Sequence, residues 1–110
     1  MLQKYIEILT RDEAIFRKKP DGTEVNYFLF PEFEIHINSL PGKTVQVWHK
    51  HHEIEEVLLV QSGKVKIEEV ENQQIVSRIC AEGELIRMHN SLHRISNPDT
   101  LSASFTVFRF

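Results

Sequence analysis

Four glycines, Gly22, Gly42, Gly63 and Gly83, stand about 20 residues apart and divide the chain into short runs. Each glycine sits in a turn-like setting: Pro20-Asp21-Gly22, Pro41-Gly42-Lys43, Ser62-Gly63-Lys64 and Glu82-Gly83-Glu84. The runs between them alternate with period two, the repeat of a strand with one covered face. Phe33, Ile35 and Ile37 alternate with Glu34, His36 and Asn38, which predicts an apolar inner face and places His36 on the polar face. Val45, Val47, His49 and His51 alternate with Thr44, Gln46, Trp48 and Lys50. Leu101, Ala103, Phe105 and Val107 alternate with Ser102, Ser104 and Thr106. Val57 to Val60 is continuously apolar and is expected to be covered on both sides. Helix is scarce. Thr10-Arg11-Asp12-Glu13 has capping-box spacing, but Lys18 to Gly22 ends any helix within two turns. The expected fold is all-β: a chain that doubles back repeatedly, as an antiparallel barrel or sandwich does.

Size limits this to one domain spanning 1–110, with an N-terminal extension and first strands over 1–24. With 41% hydrophobic and 26% charged residues, the composition is that of a globular chain. A net charge of −3 provides no electrostatic footprint for nucleic acid or an acidic membrane surface. Cys80 is the single cysteine, so no internal disulfide forms, and it is expected to be a small buried hydrophobe. The first ten residues lack a signal-peptide pattern, and no run approaches the roughly 20 apolar residues of a membrane span. A cytoplasmic location is the expectation.

Histidine is the unusual component: five of the six fall between His49 and His93. His49 and His51 are two apart on a predicted strand and therefore point to one face, which Val45 and Val47 mark as the interior. Two imidazoles in a core are costly unless each has a partner, and a metal ion is such a partner. Glu56 opens the next apolar run on the face of Leu58 and Val60, and a buried carboxylate is stabilised beside a cation. His93 shares a face with Ile95 and Asn97. Three imidazoles and one carboxylate suit one divalent transition metal (Fe, Mn, Ni, Co or Zn), whereas calcium and magnesium prefer oxygen donors.

These residues form a pattern. His49-x-His51-x4-Glu56-x6-Gly63, preceded by Gly42, resembles the first motif of the cupin superfamily. Gly83 through His93-x3-Asn97 resembles the second. Together they cover 42–97. Gly42 lies one residue further from His49 than is usual, and the loop before His93 is one residue shorter, with His89 and Ser91 where proline and glycine are common. His89 thus competes with His93 as the fourth ligand, and the spacing to Asn97 favours His93. The resemblance implies a double-stranded β-helix, or jelly-roll barrel, with the metal in one mouth.

It also implies a wide set of activities: oxygenases, isomerases, lyases, sugar-modifying enzymes and non-catalytic binding domains. The first expectation is a metal-dependent enzyme of oxygenase or isomerase type, in which Glu56 is a ligand and doubles as a catalytic proton acceptor. The alternative is a non-catalytic small-molecule or metal-binding sensor module. The net positive site favours a small anionic or chelating molecule within apolar walls, and Arg87 or Arg94 would add to that preference if either reached the mouth, although a solvated arginine is the commoner case. Trp48 is expected outside the barrel. Val57 to Val60 and the aromatic C-terminal run predict a homodimer.

Overall fold

We describe a computed structural model, in which residues 5–50, 55–89 and 91–110 are considered. The capping-box segment closes only a single 3-10 turn, Arg11–Glu13, with the Thr10 N–H and hydroxyl both donating to Glu13 Oε1. Among the described residues nine strands follow: β1 (Ile15–Lys18), β2 (Glu24–Leu29), β3 (Glu34–Leu40), β4 (Glu56–Ser62), β5 (Lys64–Glu71), β6 (Gln74–Ala81), β7 (Leu85–Met88), β8 (His93–Ser96) and β9 (Ala103–Arg109). All pairings are antiparallel.

The strands form a six-stranded sheet, ordered β1-β2-β3-β9-β4-β7, and a three-stranded sheet, ordered β6-β5-β8. The chain passes from one sheet to the other at sharp corners. Gly63 makes the corner between β4 and β5 with φ +72°, where an L side chain is strained. Gly42 acts differently: a Cβ there would lie 2.1 Å from the Thr100 carbonyl oxygen, so only glycine lets these two segments meet. Asn97 secures the same corner. Its Nδ2 donates to the carbonyls of Leu40 (3.0 Å), Pro41 (3.3 Å) and Leu101 (2.8 Å), tying the end of β8 to the end of β3.

The inner faces of both sheets meet in a core that includes Leu40, Leu58, Val65, Ile95 and Phe105. Cys80 lies in it, and burial pushes its thiol pKa up, so it is a poor nucleophile at neutral pH. In β9, Ala103, Phe105 and Val107 point inside as expected, but Leu101, expected on the same face, precedes the strand and is exposed, and Thr106 on the other face is buried as well. In β4, Glu56, Leu58 and Val60 are buried, while Val57 and Leu59 on the other face are half-covered.

β3 inverts the sequence expectation. His36, Asn38 and Leu40 are buried, and Ile37 faces out. The register is the cause. His36, Asn38 and Leu40 stand directly opposite Val107, Phe105 and Ala103 of β9, and opposed residues share a face. The inward set of β9 therefore turns the polar residues of β3 into the barrel.

The segment 44–50 runs beside β8 as an irregular fourth strand of the smaller sheet, joined by bridges at Val45–Ser96 and His49–His93. Those two bridges differ in register by one residue, which is the signature of a bulge, and a one-residue slip exchanges the two faces. Thr44 and Gln46 are therefore the buried pair before the slip, with Val45 and Val47 exposed. The interior face predicted from Val45 and Val47 is thus corrected. The bulge, not continuous alternation, turns His49 toward the barrel.

Candidate metal centre

His49 comes from the bulged segment 44–50, Glu56 is the first residue of β4, and His93 is the first residue of β8. One potential ligand atom from each lies within 4.8 Å of the others. His51 lies outside the described residues. His89 is exposed and stands apart from this group, so the shortened loop presents His93.

Backbone geometry brings the two histidines together. His49 and His93 exchange both main-chain bonds, N–H to carbonyl, at 2.9 and 3.0 Å. Their rings meet edge to face with centroids 4.4 Å apart. His93 Nδ1 lies 2.8 Å from the Ser91 carbonyl oxygen and His49 Nδ1 lies 3.2 Å from that of Val47. A carbonyl only accepts, so each Nδ1 carries the proton and each Nε2 carries the lone pair. Burial, reinforced by neighbouring His49, lowers the pKa of His93 and keeps its ring neutral at pH 7. Two imidazole nitrogens and a carboxylate in this compass fit a divalent transition metal. With bonds of 2.0–2.3 Å, ligand atoms on one ion stand at most about 4.6 Å apart.

Glu56 is buried, but it is not the lone carboxylate anticipated from the sequence. Arg109 Nε and Nη2 both donate to its Oε2, at 3.2 and 3.1 Å. Arg109 ends β9 and stands opposite Glu56 on one side and Glu34 of β3 on the other. Its Nη1 is 3.9 Å from Glu34 Oε1, so one guanidinium bridges two carboxylates across three strands. Arg109 was missed in the sequence because it belongs to no motif. Its only signal is its place as the polar end of an apolar C-terminal strand.

His49 and Glu56 open onto a cavity of about 270 Å³, lined also by Lys19, Tyr27, His36, Asn38, Gln46, Val47, Ile95 and Arg109. Val47 and Ile95 supply the apolar wall expected there, but Leu58 and Val60 lie in the core behind it and Val45 faces solvent. Val25, Phe105 and Val107 complete the apolar part of the wall, while β3 and the segment before the bulge add polar side chains that the sequence had not placed there. Arg109 is matched by Glu56 and Glu34, which leaves Lys19 as the further cation of the lining. The arginines proposed for the mouth lie elsewhere. Arg87 pairs with Glu55 and lines a second cleft between β6 and β7. Arg94 stacks on the Trp48 ring, 4.5 Å from its centroid, and bonds Glu68.

The chain superposes on Drosophila melanogaster CENP-C bound to CAL1 with a TM-score of 0.81 at 17% identity, covering 94% of this chain and 81% of that one. It superposes on hydroxypropylphosphonic acid epoxidase from S. wedmorenis with a TM-score of 0.82 at 16% identity, covering 99% and 61%. The Schizosaccharomyces pombe Cnp3 cupin domain gives a TM-score of 0.73 at 8% identity, covering 91% and 70%. The chain thus spans a little under two thirds of the epoxidase's length. Neither a family model nor a curated protein sequence matches the chain. At these identities the likeness concerns the fold.

Proposed function

Starting from the cupin fold of this chain, we propose that His49, Glu56 and His93, with His51 as fourth ligand, hold one divalent transition metal and that the adjoining cavity takes a small anionic or chelating molecule. The observation that carries this is the convergence of the three donors within 4.8 Å, with both histidines fixed in the tautomer that offers Nε2. The ion would supply Lewis-acid polarisation of a ligand oxygen or a site for dioxygen. Lys19 at the cavity rim adds to the preference for an anion. An enzyme of oxygenase or isomerase type is the reading we favour, because the cavity lies directly beside the donors and carries further titratable groups. A crystal structure of Fe(II)-HppE with an alternative substrate shares the fold.

The experiment is elemental analysis of protein purified without a metal-chelating column, followed by ligand competition. About one equivalent of transition metal is expected. Carboxylated analogues should bind more tightly than neutral ones of equal size, and only to the loaded protein. Equal affinity, or binding unchanged by metal removal, contradicts the proposal.

The second reading is a binding module without catalysis. It is favoured by the likeness to CENP-C in its complex with CAL1. The surface for it would be the outer face of the larger sheet. There Phe28, Ile35, Phe108 and Val57 stand side by side across four strands, with Ile37, Thr106 and Leu59 in the next row. We assign this face to a second copy of the chain, giving the homodimer expected from the apolar runs of β4 and β9.

A further inference from the structure

The most unusual placement in the barrel is His36. A half-polar strand normally turns its isoleucines inward, yet β3 buries His36 and exposes Ile37. Burying an imidazole costs free energy unless its polar atoms are matched. The match is Glu34, two residues earlier on the same face, whose Oε1 lies 2.8 Å from His36 Nε2. A carboxylate has no proton to give, so Nε2 carries the hydrogen and Nδ1 carries the lone pair. Tyr27, the cross-strand neighbour on β2, meets the ring edge to face at 4.5 Å and fixes its plane. Arg109 on β9 stands 3.9 Å from the same Glu34 oxygen, and holds Glu34 in place while pairing with Glu56 on β4. The ring lines the cavity onto which His49 and Glu56 open.

We propose that Glu34 and His36 form a carboxylate–histidine dyad that accepts a proton from the ligand in this cavity, which places the reaction among proton transfers on a small oxygen-rich acid. This rests on the cavity being the ligand site. It moves the acceptor from Glu56 to His36. Glu56 is engaged by both Arg109 nitrogens, whereas the dyad presents a neutral imidazole. The charged and titratable groups around His36 are Glu34 on its own strand, Tyr27 on β2, Arg109 on β9, Glu56 on β4, and, across the cavity, His49 of the segment 44–50 and Lys19 at the rim. Burial outweighs the pull of Glu34 and lowers the pKa of His36, so the ring is neutral and able to accept at pH 7. In the step, an O–H or C–H bond of the ligand breaks, the proton forms a bond to Nδ1, and the electron pair stays on the ligand. Nothing is oxidised or reduced, and no co-reactant is consumed.

Two measurements test the dyad. The first needs no metal: nitrogen-15 NMR of the imidazoles at pH 7.5. The dyad predicts a pyrrole-type Nε2 and a pyridine-type Nδ1 for His36, with mixed tautomers in Glu34→Gln. A protonated ring or the opposite tautomer overturns it. The second uses acetohydroxamic acid, a small chelating acid, on the metal-loaded protein, with proton release followed calorimetrically in two buffers. Wild type should release fewer protons than His36→Gln, because the anion bound beside the ring lets His36 keep part of the proton. Equal release in both overturns the dyad. Protein that takes up no metal contradicts the metal centre instead, and the nitrogen shifts then decide the dyad on their own.

Discussion

Arg109 is the residue on which the candidate site depends most. It reaches Glu56 and Glu34 together, so it neutralises a buried carboxylate and anchors the partner of His36. Replacing it with methionine keeps the volume and removes the charge. Breaking a buried pair from one side typically costs about 3–5 kcal/mol, because the remaining carboxylate is left uncompensated. Arg109→Met should therefore lower the denaturant midpoint of metal-free protein strongly, and added metal should restore part of the loss by supplying the missing positive charge. An unchanged midpoint would show that Glu56 does not need its counter-ion. Asn97 is the second residue that bears on the site, through structure alone. Asn97→Ala strands the buried Leu40 carbonyl at the corner where the far end of β8 from His93 meets the end of β3, at a cost of about 1–3 kcal/mol, and equilibrium unfolding should register that loss.

At the scale of elements, the site depends on how segment 44–50 is fastened to β8. Inside the barrel the fastening is the His49–His93 pair. Outside it is a column of Glu68, Arg94 and Trp48, in which Glu68 and Arg94 are direct cross-strand neighbours and Arg94 lies on the indole. The bond from Arg94 holds the Glu68 carboxyl below its ordinary pKa, against a smaller opposing effect of burial. The folded state thus favours the ionised form. This stabilisation is complete above the ordinary carboxylate pKa and is lost as pH falls through the lower folded value. Wild type should accordingly be more stable than Glu68→Gln at pH 7, and the difference in denaturant midpoint should close on acidification. A difference that persists at low pH would contradict the ion-pair account. The sequence made the candidate residues legible: Glu56 and His93 begin β4 and β8 and lie together with His49, while Gly63 and Asn97 make corners between the sheets. It did not make the faces legible. Alternation alone assigned Val45, Val47 and Ile37 to the interior, whereas a one-residue slip before His49 and the pairing of β3 with β9 reversed those assignments. Register is a property of two strands together, and Arg109, Glu34 and His36 became neighbours only through it.

For the molecule as a whole, the larger sheet has one face closed by the core and one face carrying rows of half-covered Phe28, Ile35, Phe108, Val57 and Leu59. An apolar face of this kind marks an association surface. Light scattering should give a dimer, and Ile37→Glu combined with Leu59→Lys should give a folded monomer with an unchanged circular dichroism spectrum. A wild-type monomer at high micromolar concentration would contradict the assignment. Because His49, Glu56 and His93 lie inside the barrel and this surface outside it, the proposed metal site should be unaffected in the monomeric variant. The central claim is that the barrel places His49, Glu56 and His93 around one ion. The most direct test is an anomalous difference map from crystals grown after metal loading, collected at the absorption edge of the bound element. The account predicts one peak, about 2.0–2.3 Å from Nε2 of His49 and of His93 and from a Glu56 carboxylate oxygen. A map with no peak there, or with its only peak elsewhere, would contradict it.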